Sequence, residues 1–198
     1  MKRALTIIGL LIFGLVQPIN AQDVSEPKFS HGVLFMAGGR YDNLRRCAAT
    51  PAGTKGGPIA DIMFITKYKL NSNHNLLFNL PVFRPILFGL AFKMLQFEPE
   101  FIYEYSKVVN EKINLITGPG LGVSIHYGPD YQSELRDMDK SFFAIGPFFS
   151  WQTGLAFKRD GIVKSSASIK AFYVPLLAKD RSVGTVLGGA LLYTIYFK

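Results

Sequence analysis

From residue 29 to the end of the chain, apolar and polar positions alternate with a period of two. The last run, 181–198, shows it best: Val183, Thr185, Leu187, Gly189, Leu191, Tyr193, Ile195 and Phe197 fall on one face. Ser182, Gly184, Val186, Gly188, Ala190, Leu192, Thr194, Tyr196 and Lys198 fall on the other. Successive side chains of a β-strand point to opposite faces, so this period predicts strands. The same reading gives strands over 29–40, 59–70, 76–84, 95–107, 112–127, 141–158, 163–175 and 181–198, eight in all. The third is the least regular, because Pro81 has no N–H to give a ladder, and 85–94 reads as its extension or as a loop.

The connections alternate in length. Long polar loops are expected over 41–58 and 128–140, with short turns at 71–75, 108–111 and Asp160-Gly161, a strong hairpin signal. The faces also differ in a consistent way. Glu98, Glu100 and Glu104 share one face of the fourth strand, and Lys67, Lys69, Lys112, Lys158, Lys164 and Lys170 take the corresponding face of others. The opposite face is uncharged and aromatic. A soluble sandwich turns its polar face outward, whereas a barrel wall in lipid turns its apolar face outward and its charges to the lumen. The expected fold class is all-β: an eight-stranded antiparallel transmembrane up-and-down β-barrel over 29–198. Threading the strands places Phe97, Tyr127, Phe143 and Tyr173 near one rim and Tyr105, Phe157 and Phe197 near the other, as aromatic girdles would be.

The start of the chain has its own pattern. Lys2 and Arg3 precede an apolar run, Ala4 to Val16, and Ile19-Asn20-Ala21 offers a cleavage point. Residues 1–21 therefore read as a secretory signal and 22–28 as a polar periplasmic lead-in. The net charge of +8 is spread along the chain rather than gathered in a patch, which argues against nucleic acid and for anionic lipid or lipopolysaccharide. With 14% aromatic residues the chain is not disordered. Cys47 is the single cysteine, so no internal disulfide can form, and it carries no metal or catalytic motif.

The inward charges, Glu98, Glu100, Glu104, Lys67, Lys112, Lys164 and Lys170, are expected to form a lumen network. Eight strands enclose a space that side chains just fill, and buried acids need basic partners. His126 falls on the same face, with Ser124 two residues before it and Asp130 after it, and marks a lumen or rim site. A hydrolase reading of that group lacks a Gly-x-Ser-x-Gly motif. Gly118, Gly120 and Gly122 are not a nucleotide loop, because the strand alternation runs through them. They are expected to make room for Phe142, Phe148 or Tyr196. No catalytic residue, metal site or cofactor is expected.

The segment Leu95-Gln96-Phe97-Glu98-Pro99-Glu100-Phe101-Ile102-Tyr103 is similar to an LQPELLY-type strand. With the glycine-rich strand 118–127 and the aromatic ending 193–198, it makes the chain resemble the small outer-membrane β-barrel proteins of Gram-negative bacteria, OmpA-like and OmpX-like. The resemblance covers most of the chain after the signal and implies an outer-membrane location. It also implies contact with lipid and lipopolysaccharide, and handling by the barrel-assembly machinery through the C-terminal strand. Lys198 after the terminal aromatic departs from the strictest ending. The expected role is a non-enzymatic envelope or surface protein, monomeric, without an open pore and without nucleic-acid partners. The alternatives are an outer-membrane lipid hydrolase using His126 and a serine, and a soluble periplasmic lipocalin-like barrel.

Overall fold

The computed structural model describes residues 27–43, 55–91, 95–129, 141–178 and 183–197. The signal, most of the lead-in, Cys47, Asp130, Lys198 and most of both long loops lie outside them. Nine strand segments follow in order: β1 (Phe29–Asp42), β2 (Gly57–Lys69), β3 (His74–Pro81), β4 (Leu95–Phe97), β5 (Glu100–Asn110), β6 (Ile113–Pro129), β7 (Ser141–Arg159), β8 (Ile162–Ala178) and β9 (Val183–Phe197). One helix, α1 (Phe83–Ala91), stands between β3 and β4.

β4 and β5 are one stave of the wall. Leu95 pairs Tyr127, Phe97 pairs Ile125 and Glu100 pairs Gly122, so the register on β6 runs on without a slip. Between the two segments the ladder is broken at Glu98-Pro99, where proline has no N–H to give. Pro99 still accepts the Val123 N–H at 3.2 Å. Every neighbour is antiparallel, and β1 pairs β9, from His31↔Phe197 to Asp42↔Val186. The sheet thus closes into a ring of eight strands.

The hairpin turns at one end are tight. Asn71 Oδ1 accepts the N–H groups of Asn73 and His74, both at 2.9 Å. Asp160 and Gly161 both have positive φ, 57° and 74°, the conformation of a type I′ turn that matches strand twist.

Side chains alternate as expected. Glu104 is 1% exposed and Lys170 5%, whereas Leu191 is 67%, Ile169 58% and Trp151 54% exposed. The interior mixes buried polar and charged side chains with apolar ones such as Leu34, Ile65, Ile102 and Val174, while the outer surface is apolar. Tyr127, Phe143, Tyr173, Phe157 and Phe197 are exposed on the outer face; Phe97 and Tyr105 are half-buried. No helix among the described residues is long and apolar enough to cross a membrane; strands form the wall.

The third stave departs from the sequence reading. β3 ends at Pro81, and Phe83–Ala91 is a helix rather than a strand extension or loop. Pro81 closes the ladder, while Pro85, in the first helical turn, needs no intrahelical donor. The wall is therefore interrupted. Ladder pairing of β3 stops at Met63↔Pro81 on one side and at Asn79↔Glu100 on the other. Beyond those pairs β2 continues to Gly57 and the opposite stave to Leu95. The missing length is about five residues, roughly 17 Å at the usual strand rise. α1 occupies it, packed against β2 and β4.

Candidate functional site

The lumen is organised in three tiers. In the tier nearest the short turns, Lys67 Nζ lies 3.4 Å from Glu104 Oε1, and Asn75 Nδ2 donates to the same oxygen at 3.0 Å. Lys67 also stands over the Tyr196 ring, 5.5 Å from its centroid. In the middle tier Glu100 accepts hydrogen bonds from Lys170 Nζ and Ser150 Oγ, and from Asn79 Nδ2 at 3.4 Å. Lys170 lies 4.9 Å over the Phe148 ring, which stacks on Phe172. A charge buried away from water is tolerated only when paired and hydrogen-bonded, and each of these ions is.

The tier nearest the long loops holds Arg40, Asp42, Asp61, Arg84, Gln96, Glu98, Ser124 and His126, all buried. Arg84 reaches in from α1. Its Nη2 donates to Glu98 Oε2, and its Nε lies 3.3 Å from Asp61 Oδ2. Asp61 Oδ1 accepts the Arg84 backbone N–H at 2.8 Å. The first turn of α1 carries no acid of its own, so Asp61 of β2 supplies the cap. Arg40 Nη2 pairs with Asp42 at 3.2 Å, and its Nη1 lies 3.9 Å from Glu98.

Five of the seven charges expected in the lumen, Glu98, Glu100, Glu104, Lys67 and Lys170, are buried there and paired. Two are not brought to them. Lys112 is exposed in the turn between β5 and β6, beyond the last inward position. Lys164 sits half-buried at a bulge. Lys158 pairs Val163 while Phe157 pairs Ser165, so Lys164 is the extra residue and its parity carries no meaning. The sequence reading also missed Arg40, Asp42, Asp61 and Arg84. Arg40 and Asp61 lay on inward faces by alternation and were open to detection. Arg84, between two prolines, had no alternation to place it.

The Phe142 side chain lies outside those described; the nearest neighbours of the glycine row are neither Phe148 nor Tyr196. Gly118 and Gly122 allow the β5 stave's backbone close, against Tyr103 O and Pro99 O, and a side chain at Gly120 would collide with Glu100 and Ser150. Gly188 makes room for the Phe172 ring.

His126, Ser124 and Glu98 meet, but as a triangle. Ser124 Oγ is 3.0 Å from His126 Nε2 and donates to Glu98 Oε1 at 2.9 Å; His126 Nε2 is 3.3 Å from the same Glu98 oxygen. A nucleophilic relay needs the acid on one ring nitrogen and the hydroxyl on the other. Here both lie at Nε2, and Nδ1 has no hydrogen-bond partner. Ser124 and His126 are both 0% exposed. This geometry binds a proton or a polar group; it does not align a serine for attack.

No family model matches the chain, and no curated protein matches it. Solved structures do. The chain is similar to Neisserial surface protein A, with a TM-score of 0.53 at 8% identity, over 86% of this chain and 98% of that one. It also aligns with Ail, the attachment invasion locus protein of Yersinia pestis, with a TM-score of 0.38 at 12% identity, over 86% and 99%. The fold is that of a small eight-stranded outer-membrane β-barrel. At such low identity the likeness concerns the barrel alone, and the Arg84–Asp61–Glu98 cluster stands on this chain's own geometry.

Proposed function

We propose that residues 1–21 direct export and are cleaved, and that 22–198 ends in the outer membrane as a lead-in and a closed barrel with a non-enzymatic envelope role. The observation that carries this reading is the apolar, aromatic outer face around a charged, side-chain-filled lumen. In this reading the short turns face the periplasm and the long connections, 41–58 and 128–140, face outward to meet lipopolysaccharide or a protein partner. Arg45, Arg46 and Lys55 in the first of these favour an anionic surface. The assembly machinery reads the final strand, and the paired charges close the lumen to free ion flow.

The test is a denaturing gel of membrane fractions with and without boiling. A band confined to the outer membrane that shifts on boiling is expected. Release by osmotic shock without detergent would leave a soluble, ligand-binding barrel instead. Replacing Arg45, Arg46 and Lys55 by Ser is expected to reduce co-purified lipopolysaccharide. An altered lipid acylation profile in His126→Ala would restore the hydrolase reading.

A further inference from the structure

We propose that α1 is a movable cover over a side portal in the barrel, through which an amphiphile with an uncharged, hydrogen-bonding head reaches the buried polar cluster around Gln96 and His126. The inference rests on the membrane reading above and goes beyond it. Four observations meet at this place.

The first is the interrupted wall. Among the described residues, the other staves pair with both neighbours, with only short breaks at Tyr103-Glu104 and at residues 146–148, whereas here a whole stretch of stave is replaced by a helix. α1 is held instead by side chains: Arg84 to Asp61 and Glu98, and the Asp61 cap. The Val82 N–H to Ile62 O, 3.0 Å, is the backbone bond at its root. A helix keeps its mid-helix backbone bonds internal, so a swing leaves only its terminal groups, the Asp61-capped Arg84 N–H among them, to be re-paired, whereas a strand would lose a whole ladder.

The second is the helix surface. Phe83, Ile86, Leu87 and Leu90 are exposed, Leu90 by 83%, while Arg84 is 2% exposed. One charged side chain faces the buried polar cluster and the apolar side chains face outward.

The third is unmet hydrogen bonding behind the helix. Neither Nε2 nor Oε1 of Gln96 has a hydrogen-bond partner, although the residue is 1% exposed; His126 Nδ1 is in the same position. Gln96 and His126 are paired across β4 and β6, so both sit on the same inward level beside Glu98 and Ser124. Buried amides without partners are rare and costly. A ligand head offering a donor and an acceptor would complete both.

The fourth is charge. Two guanidiniums, Arg40 and Arg84, face three carboxylates, Asp42, Asp61 and Glu98. The cluster therefore has no surplus positive charge for an anionic head, and the unpartnered Gln96 amide matches a hydroxyl, ester or amide. Molecules that approach from the side of a barrel come from the bilayer, so the ligand carries an alkyl chain.

The experiment uses Ser124→Cys in a Cys47→Ser background, in phosphatidylcholine vesicles, after the boiling shift has shown the barrel folded. A failed shift in the parent protein would sink the membrane reading itself, separately from the portal. The thiol is then exposed to N-dodecylmaleimide, an alkyl chain with an uncharged imide head, or to a water-borne polyethylene-glycol maleimide. The portal predicts reaction with the alkyl reagent, slowed by monooleoylglycerol, and about tenfold faster or more when Arg84→Met releases the helix. Faster reaction with the polyethylene-glycol reagent would place access at the barrel mouth and overturn the proposal. So would inertness to both reagents in the Arg84→Met background. Gln96→Cys repeats the test if Ser124→Cys fails to fold.

Discussion

Asp61 grips Arg84 twice: Oδ1 accepts its backbone N–H at 2.8 Å, and Oδ2 lies 3.3 Å from its guanidinium Nε. One carboxylate of β2 thereby caps a helix and neutralises that helix's single inward charge. Among the described residues α1 has no ladder on either side, and this grip and the Arg84–Glu98 pair tie it to the neighbouring staves.

Asp61→Ala should therefore loosen α1 rather than unfold the ring. Loss of a cap costs about 0.5–2 kcal/mol, and loss of one of the two carboxylates paired with the buried guanidinium adds to that. The expected outcome is faster proteolysis within 82–94 in vesicles, with the boiling shift retained. Asp61→Asn keeps one acceptor for the Arg84 N–H and should fall between. Equal protease resistance in all three proteins would show that the helix is held by something else.

The Glu100–Lys170 pair makes a separate prediction, because both partners are buried and belong to regular staves. Removing one side strands the other. Glu100→Ala is expected to cost about 3–5 kcal/mol in urea unfolding followed by Trp151 fluorescence. The double change Glu100→Gln with Lys170→Met keeps volume and removes both charges, and should recover all but about 1 kcal/mol of that loss. A loss in the double change equal to the sum of those in Glu100→Gln alone and Lys170→Met alone would mean that the two side chains do not interact.

Much of this arrangement was legible in the sequence. The period of two marked the eight staves, the Asp160-Gly161 turn and the inward row of Glu98, Glu100 and Glu104, because each strand samples only two environments and a charge reveals which is which. The helix was not legible. Residues 82–94 contain apolar side chains at almost every position, so neither period stands out, and Pro85 speaks against a strand without naming a helix. Arg84 went unseen for the same reason. Lys164 was misplaced because a bulge changes parity without changing composition. The triangle of Ser124, His126 and Glu98 joins two staves, and sequence spacing cannot show that its three polar atoms converge on one ring nitrogen.

The wall should distinguish depth. Leu191 lies mid-strand on β9 and is 67% exposed; Val183 opens the same strand and is 73% exposed. In a bilayer Leu191→Arg should cost about 2–4 kcal/mol of unfolding free energy, and Val183→Arg about 0–1, since the cost of a charge falls toward the interface. Equal small effects in vesicles would indicate that the outer face is not against hydrocarbon.

Packing inside the lumen gives the last test. Gly188 on β9 faces the Phe172 ring of β8, and a Cβ at Gly188 would overlap the ring atoms. Phe172 in turn stacks on Phe148 at 5.5 Å between centroids, and Phe148 lies under Lys170. A retreat of the ring toward Phe148 would disturb the Glu100–Lys170 pair. Gly188→Ala should therefore cost about 1–3 kcal/mol, as overpacked interiors do. Phe172→Leu on its own opens a void and also destabilises. Combined with Gly188→Ala it should restore part of the loss, because the methyl group fills space that the ring has vacated. A strictly additive pair of losses would show that the strain of Gly188→Ala is relieved elsewhere in the wall.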